Sequence, residues 1–356
     1  MEKITPKKND AILRGSITVS EEYDISGMKE KIKGLPDQIM NSWEKGQSVE
    51  IKGKPRNLVV TGMGGSGIAG DLLSDLLFQD LGIPLMVNRG YDLPFFVNEE
   101  TLLFVSSYSG NTEETLCSLN EGLRRKAIIV VFTSDGEIAK TAEHNNLPRI
   151  EFPTGYPPRS ALGFSFFSML GLIKKFFAIS LDNKDIENLI LTLSKLRDKL
   201  TRQNNEITTL AKTLVNQIPL IYITQRLRSV AFRWQTQINE NSKTFAHINV
   251  IPEANHNEIV GLKFPRAKIK QMHLILLRTE NYENKQIKKR LRITEDLLKN
   301  SVGNITTVNA DGNNKLEDMF SLIYKGDFLS YYISRILKID PTPVKRIDLL
   351  KRRLKS

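Results

Sequence analysis

From Asn57 the chain alternates two kinds of segment. NLVVTGM (57–63), PLMVNRG (84–90), TLLFVSSY (101–108) and AIIVVFTSD (127–135) are short runs rich in apolar and β-branched residues, and PRIEFP (148–153) fits as a last one. Amphipathic stretches at helical spacing lie between them, at Ala69–Phe78 and Thr112–Arg125. A strand that is apolar throughout must be covered on both faces. The pattern therefore predicts a parallel sheet between helix layers, a doubly wound α/β unit. A helical region over 161–214 follows. The strand–helix alternation then resumes with PLIYITQ (219–225), a helix over Arg228–Lys243, FAHINV (245–250), IKQMHLILL (269–277) and NITTVNA (304–310). Two helices separated by DPTP (340–343) close the chain, because proline ends a helix. A helix over Glu21–Lys45, interrupted at Gly34–Pro36, precedes the first strand. The reading is an N-terminal helical segment (1–50), a first α/β domain (51–195), and a second α/β domain with C-terminal helices (196–356). The two halves share element order but no clear sequence repeat.

Composition narrows this picture. The length of 356 residues suits two domains, and 40% hydrophobic with 26% charged residues is ordinary for a globular chain, which excludes disorder and collagen. A single cysteine, Cys117, cannot form an internal disulfide, so a cytoplasmic location is expected. The opening MEKITPKKND has no apolar run behind its lysines and does not read as a secretory signal. The longest apolar stretch, Ala161–Ile173, is shorter than the ~20 residues a membrane helix needs. The net charge of +11 fits either nucleic-acid binding or attraction of phosphorylated substrates. Its two densest clusters, Lys285–Arg292 and Lys345–Lys355, read as solvated helix faces. The sequence carries no Cys/His metal pattern and no aromatic RNA motif, so no metal, nucleic acid or membrane partner is expected.

Five polar stretches carry candidate chemistry. Gly62-Met63-Gly64-Gly65-Ser66-Gly67 links a strand to a helix, where a glycine turn presents helix N–H groups to an anion. It also satisfies a dinucleotide-binding spacing, but the acid expected at the end of the next strand is missing. Arg89 stands there and would suit a 2′-phosphate, which keeps an NADP-dependent dehydrogenase as an alternative. Ser106-Ser107-Tyr108-Ser109-Gly110-Asn111-Thr112 is a second such turn, dense in hydroxyl donors suited to phosphate. Part of it also reads as a capping box, with Asn111 as N-cap and Glu114 three residues on. Pro157-Pro158-Arg159-Ser160 delivers an arginine from a rigid loop. Gln237–Lys243 places Glu240 among amides, and Pro252–Glu258 places His256 between two asparagines in a polar loop. Phosphate donors, a carboxylate, a histidine and an arginine together suit proton transfer next to a carbonyl.

With GMGGSGIAGD, SYSGNTEET, PPRSALG, NENSK and PEANHNEIVG in that order, the chain resembles the bifunctional phosphoglucose/phosphomannose isomerases. These are built from two sugar isomerase (SIS) domains of flavodoxin-like type. The resemblance covers roughly residues 57–355. It implies interconversion of glucose 6-phosphate, and usually mannose 6-phosphate, with fructose 6-phosphate, without metal or cofactor. It implies that Ser107, Ser109 and Thr112 hold the phosphate and that Gly65 and Ser66 line the sugar site. Arg159 would stabilise the enediolate and Glu240 would move the proton between C2 and C1. His256 would help open the ring from the neighbouring subunit of a homodimer. A C-terminal lysine also reaches the family's site: Lys351 is the best match, with Lys345 the other candidate. The chain departs from the family at the start of the second domain, where Thr224-Gln225-Arg226 replaces a glycine-rich turn. A non-catalytic SIS module that senses sugar phosphates is the other alternative.

Overall fold

The computed structural model describes residues 22–354. The MEKITPKKND start, the first residue of the expected Glu21–Lys45 helix, and Lys355 lie outside the described residues. That helix is two helices, α1 (Met28–Lys33) and α2 (Ile39–Ser48), with a 3-10 turn at Pro36–Gln38 between them. Among the described residues the first helix begins at Met28, because the preceding Gly27, at φ 65°, is left-handed and cannot continue a helix toward the N-terminus.

The first set of elements is β1 (Asn57–Thr61), α3 (Gly64–Leu77), β2 (Leu85–Asn88), β3 (Thr101–Ser106), α4 (Glu113–Arg124), β4 (Ile128–Thr133), α5 (Glu137–His144) and β5 (Arg149–Glu151). Its strands form one parallel sheet in the order β2-β1-β3-β4-β5. The sequence pattern did not anticipate α5. It is only eight residues long, and its buried side is just Ile138, Ala139 and Ala142. The expected helical region is α6 (Leu162–Phe176), α7 (Asn183–Leu200) and α8 (Glu206–Leu214). Asp182 and Asn205 start the last two as side-chain caps.

The second set is β6 (Ile218–Thr224), α9 (Arg228–Ser242), β7 (His247–Ile251), the single turns α10 (Glu258–Gly261) and α11 (Arg266–Ile269), β8 (Met272–Arg278), α12 (Lys285–Leu298) and β9 (Asn304–Asn309). This sheet is also parallel, in the order β7-β6-β8-β9. The chain ends in α13 (Lys315–Ile336) and α14 (Lys345–Leu354), on either side of the Pro341 and Pro343 break.

Side-chain alternation divides each sheet between two interiors. Val60, Phe104, Val130 and Phe132 of the first sheet and Ile221, Ile223, Ile275 and Leu277 of the second belong to one shared core, filled by α6 and α13. Val59, Leu103, Val105 and Val131 face a separate core on the far side of the first sheet, which includes Leu119 of α4 and Ile138 of α5. Leu220, Tyr222, Leu274 and Leu276 do the same against Leu291 and Leu298 of α12. α13 is buried from Leu316 to Arg335, as expected of a helix packed on every side. The shared core fixes the two sheets relative to each other, which a site assembled from both halves requires. No helix among the described residues is long and apolar enough to cross a membrane.

Candidate functional site

The two polar turns of the first sheet stand side by side. Ser66 Oγ accepts from the Tyr108 backbone N–H at 3.3 Å, joining the turn after β1 to the turn after β3. Within the second turn the Ser107 and Thr112 hydroxyls are 2.9 Å apart. Gly110 makes this turn possible. Its φ is +65°, and a Cβ there would lie 1.6 Å from the Asp135 carbonyl oxygen. Ser107 is buried, Thr112 half-buried and Ser109 exposed. Neither α3 nor α4 takes a side-chain hydrogen bond from its N-cap residue, Met63 or Thr112. The first-turn N–H groups of both helices are thus left without a side-chain cap, the arrangement that receives anions.

The capping box expected at Asn111 and Glu114 is not formed. Thr112 is the N-cap of α4, and Asn111 turns away to accept from Glu137 N at 3.1 Å. The close approach of Gly110 to Asp135 brings Asn111 to the start of α5, and that contact wins over local capping. Arg89 is not poised for a 2′-phosphate either. Its guanidinium is held by Asp71 through two bonds of 3.0 and 2.5 Å.

Gly65 joins these turns to the Pro157–Ser160 loop. A Cβ on Gly65 would lie 2.7 Å from Pro158 O and 3.2 Å from the Arg159 nitrogen, so only glycine fits. Arg159, 6% exposed, is the hub between the halves. Its Nε donates to Asn241 Oδ1 at 2.6 Å, and its Nη2 to the carbonyls of Pro341 and Thr342, each at 2.8 Å. Its Nη1 donates to Glu240 Oε2 at 3.3 Å. A guanidinium has five N–H donors. Three are spent on the fold, which leaves the two on Nη1 for Glu240 and whatever joins it. Burial pushes the Arg159 pKa down and the Glu240 carboxylate pushes it back up.

Glu240 is half-buried on the last turn of α9 and lines a cleft of about 630 Å³. The other walls include Asn239, Lys243, Asp340, Pro343 and the first turn of α14. Among them is Lys345, whereas Lys351 is not, and lies exposed farther along α14. His256 is exposed at the end of the 3-10 turn Glu253–His256. The hydrogen bonds among the described residues do not connect it to Arg159 or Glu240. The structure thus brings Gly65, Ser66, Ser107, Thr112, Arg159 and Glu240 into one chain of contacts. Ser109 lies on the same turn, and His256 and Lys351 stand apart.

Three contributors escaped the sequence reading. Asn241 is fully buried, orients Arg159, and donates to Ser330 Oγ at 2.9 Å. Arg233 donates to the Arg159 carbonyl at 2.9 Å and to Asp327 at 2.6 Å. Lys243 Nζ donates to the carbonyls of Glu240 and Pro341 at 2.7 and 2.8 Å. Asn241 and Lys243 flank Glu240 in NENSK, and that placement was their only signal. Among the described residues no group of three or more His, Cys, Asp or Glu side chains could hold a metal ion.

Residues 203–354 match the family model described as "Bacterial phospho-glucose isomerase C-terminal SIS domain". The chain is 40% identical over 336 residues to a bifunctional phosphoglucose/phosphomannose isomerase of Caldicellulosiruptor bescii, covering 92% of this chain and 98% of that protein. Among solved structures, a hypothetical protein from Thermus thermophilus is similar at TM-score 0.75 and 14% identity, over 94% of this chain and 92% of the other. A glucose-6-phosphate isomerase like protein from the same organism is similar at TM-score 0.61 and 18% identity, over 90% of this chain and 94% of the other.

Proposed function

The chain belongs to the bifunctional phosphoglucose/phosphomannose isomerase family, and we propose from this that it interconverts glucose 6-phosphate and mannose 6-phosphate with fructose 6-phosphate through an enediolate. Ser107, Ser109 and Thr112 hold the phosphate at the uncapped N-terminus of α4. Gly65 and Ser66 line the sugar. The ring opens with His256 and a C-terminal lysine moving the protons. Glu240 then takes the proton from C2 and returns it to C1. The electron pair released from the C2–H bond passes into the C1–C2 linkage and leaves negative charge on O1, which Arg159 stabilises; as the proton returns to C1, the C2 hydroxyl proton passes to O1 and C2 becomes the carbonyl. Glucose 6-phosphate and mannose 6-phosphate differ only in configuration at C2, which the enediolate erases, so both aldoses share one enediolate with fructose 6-phosphate.

One observation carries this reading. Arg159 is fixed by three fold-spent donors and keeps its remaining nitrogen on the Glu240 carboxylate. Base and electrophile are therefore pre-positioned at one point, with no motion needed to bring them together. The C-terminal lysine is Lys345 if the cleft lining decides, and Lys351 if the family match does. Exchange of each for methionine separates them.

The reading includes a homodimer in which His256 serves the partner's cleft. Exposed Phe245, Val260 and Phe264, at 67, 76 and 71%, support it: they flank His256 in the chain, around the edge strand β7. It also includes a cytoplasmic location, which the lone cysteine Cys117, exposed and unpaired, supports.

The test is an assay in EDTA that supplies fructose 6-phosphate and reads glucose 6-phosphate and mannose 6-phosphate separately. The wild-type protein turns over to both. Glu240→Gln retains sugar-phosphate binding and loses essentially all turnover. Binding without turnover in the wild-type protein would instead identify a sugar-phosphate sensor.

A further inference from the structure

Lys243 has no part in the chemistry above, yet its surroundings are specific. It sits just past α9 in the left-handed region, at φ 54°, where its side chain folds back over the helix end. Its ammonium donates to Glu240 O at 2.7 Å and Pro341 O at 2.8 Å, with Asp340 O at 3.2 Å and Asn241 O at 3.4 Å. Two of these carbonyls belong to the turn that carries the base. The other two belong to the segment that leads into α14. Pro341 O is shared with Arg159, so two cations converge on one carbonyl. α14 itself buries none of its residues.

We propose that Lys243 is a positioning residue that docks the Asp340–Thr342 segment, and with it the first turn of α14, onto the turn of α9 that carries Glu240. The cleft between them then keeps one width, and the C-terminal lysine keeps one distance from the base. The charges facing Lys243 come from four elements: Arg159 from the 3-10 turn Pro158–Ser160, Glu240 from α9, Arg335 from α13, and Asp340 from the segment itself. Lys345 and Arg346 of α14 line the same cleft. Lys243 is exposed overall, but partial desolvation of its ammonium among these carbonyls, and then Arg159, push the lysine down to about 8, against Asp340 and Glu240. As pH rises through 8 the ammonium loses a proton and its grip on the carbonyls weakens. Stability does not fall with it. The folded chain gives up this proton before the unfolded chain does, so this group makes stability rise between about pH 8 and 10.5.

The inference rests on Glu240 as the base. Its test compares the full-length wild-type protein with Lys243→Gln and Lys243→Arg, in kcat and KM from pH 6 to 9.5. It also compares amide exchange over 340–354, corrected for the intrinsic pH dependence. Lys243→Gln should lower kcat by about 10²-fold, the cost of a misplacement of about 1 Å, with little change in KM. It should also speed exchange in 340–354. Lys243→Arg should restore most of kcat and remove the alkaline limb near pH 8. Wild-type kcat and an unchanged alkaline limb in Lys243→Gln overturn the proposal. So does a lower kcat with unaltered exchange over 340–354. Should Lys243→Gln not fold, the proposal stands or falls on the wild-type protein and Lys243→Arg, whose exchange over 340–354 must diverge above pH 8. An active Glu240→Gln refutes the base instead. An inactive Glu240→Gln beside an unaffected Lys243→Gln refutes only the positioning role.

Discussion

The two halves run the same course, strand to turn to helix in a parallel sheet, and yet their turns are chemically opposite. After β1 and β3 the first half presents glycines, hydroxyls and two helix starts without side-chain caps. At the corresponding turns of the second half the donors are already spent on carboxylates. Asp75, reaching across from α3, accepts from Ser229 N at 2.9 Å and Ser229 Oγ at 2.5 Å, at the start of α9. After β8, Glu283 accepts from Thr279 N at 2.9 Å, and Asp318 accepts from Asn281 N at 3.1 Å and from the Thr279 hydroxyl. A fold that offers anion sites at its strand ends keeps them open in one half and fills them with its own acids in the other. On the proposed function, the open half holds the phosphate and the filled half supplies the base.

The sharpest way to break this contrast is to fill the first half as the second is filled. Ser109 is exposed, so Ser109→Asp should fold normally. A carboxylate beside the phosphate position costs several kcal/mol, so kcat/KM should fall by about 10³-fold with an unchanged melting temperature. Steady-state kinetics and a thermal melt decide it. Removing one donor is gentler. Thr112→Val forfeits a hydrogen bond to a charged group, about 1.5–3 kcal/mol, and should lower kcat/KM by about 10–100-fold, mostly through KM.

Emptying the second half should touch stability more than rate. Burial pushes the Asp75 carboxyl up to about 6, from 3.8 in the unfolded chain. Protonated Asp75 is the form the fold prefers. Its contribution is therefore fully present below about pH 4 and is lost as pH rises through 6. Asp75→Asn should flatten stability over that window, measured by denaturant melts at pH 4, 5, 6 and 7. Its activity at pH 7.5 should stay close to wild type. The smallest expected effect is none: with Arg89 paired to Asp71, NADPH should leave the melting temperature unmoved. A saturable shift would revive a dinucleotide role for the Gly62–Gly67 turn.

Much of this was legible in the sequence, for definite physical reasons. Apolar runs of strand length separated by helical spacing leave few alternatives to a parallel sheet. The glycine and hydroxyl turns were visible because they are local, and so was Thr224-Gln225-Arg226 as a departure from the family. The bonds of Ser229 to Asp75 at the start of α9 were not, because Asp75 lies on a helix of the other half. The same limit explains Asn111. The local pattern fits a capping box, but Gly110 packs against Asp135 and brings Asn111 to α5 instead. Locally Arg159 was only an arginine in a rigid loop and Glu240 only an acid among amides at a helix end, and their roles came from the family resemblance. Their contact needs the shared core to bring a loop of one sheet to a helix of the other.

The central claim is that the first half holds the phosphate while the second supplies the base at the same sugar. A crystal structure of the Glu240→Gln protein with fructose 6-phosphate tests it most directly. The phosphate should lie on Ser107, Ser109 and Thr112, with C1 and C2 between Arg159 and residue 240. A phosphate bound at Thr224–Ser229, or a sugar whose C1 and C2 lie away from Arg159, would contradict it.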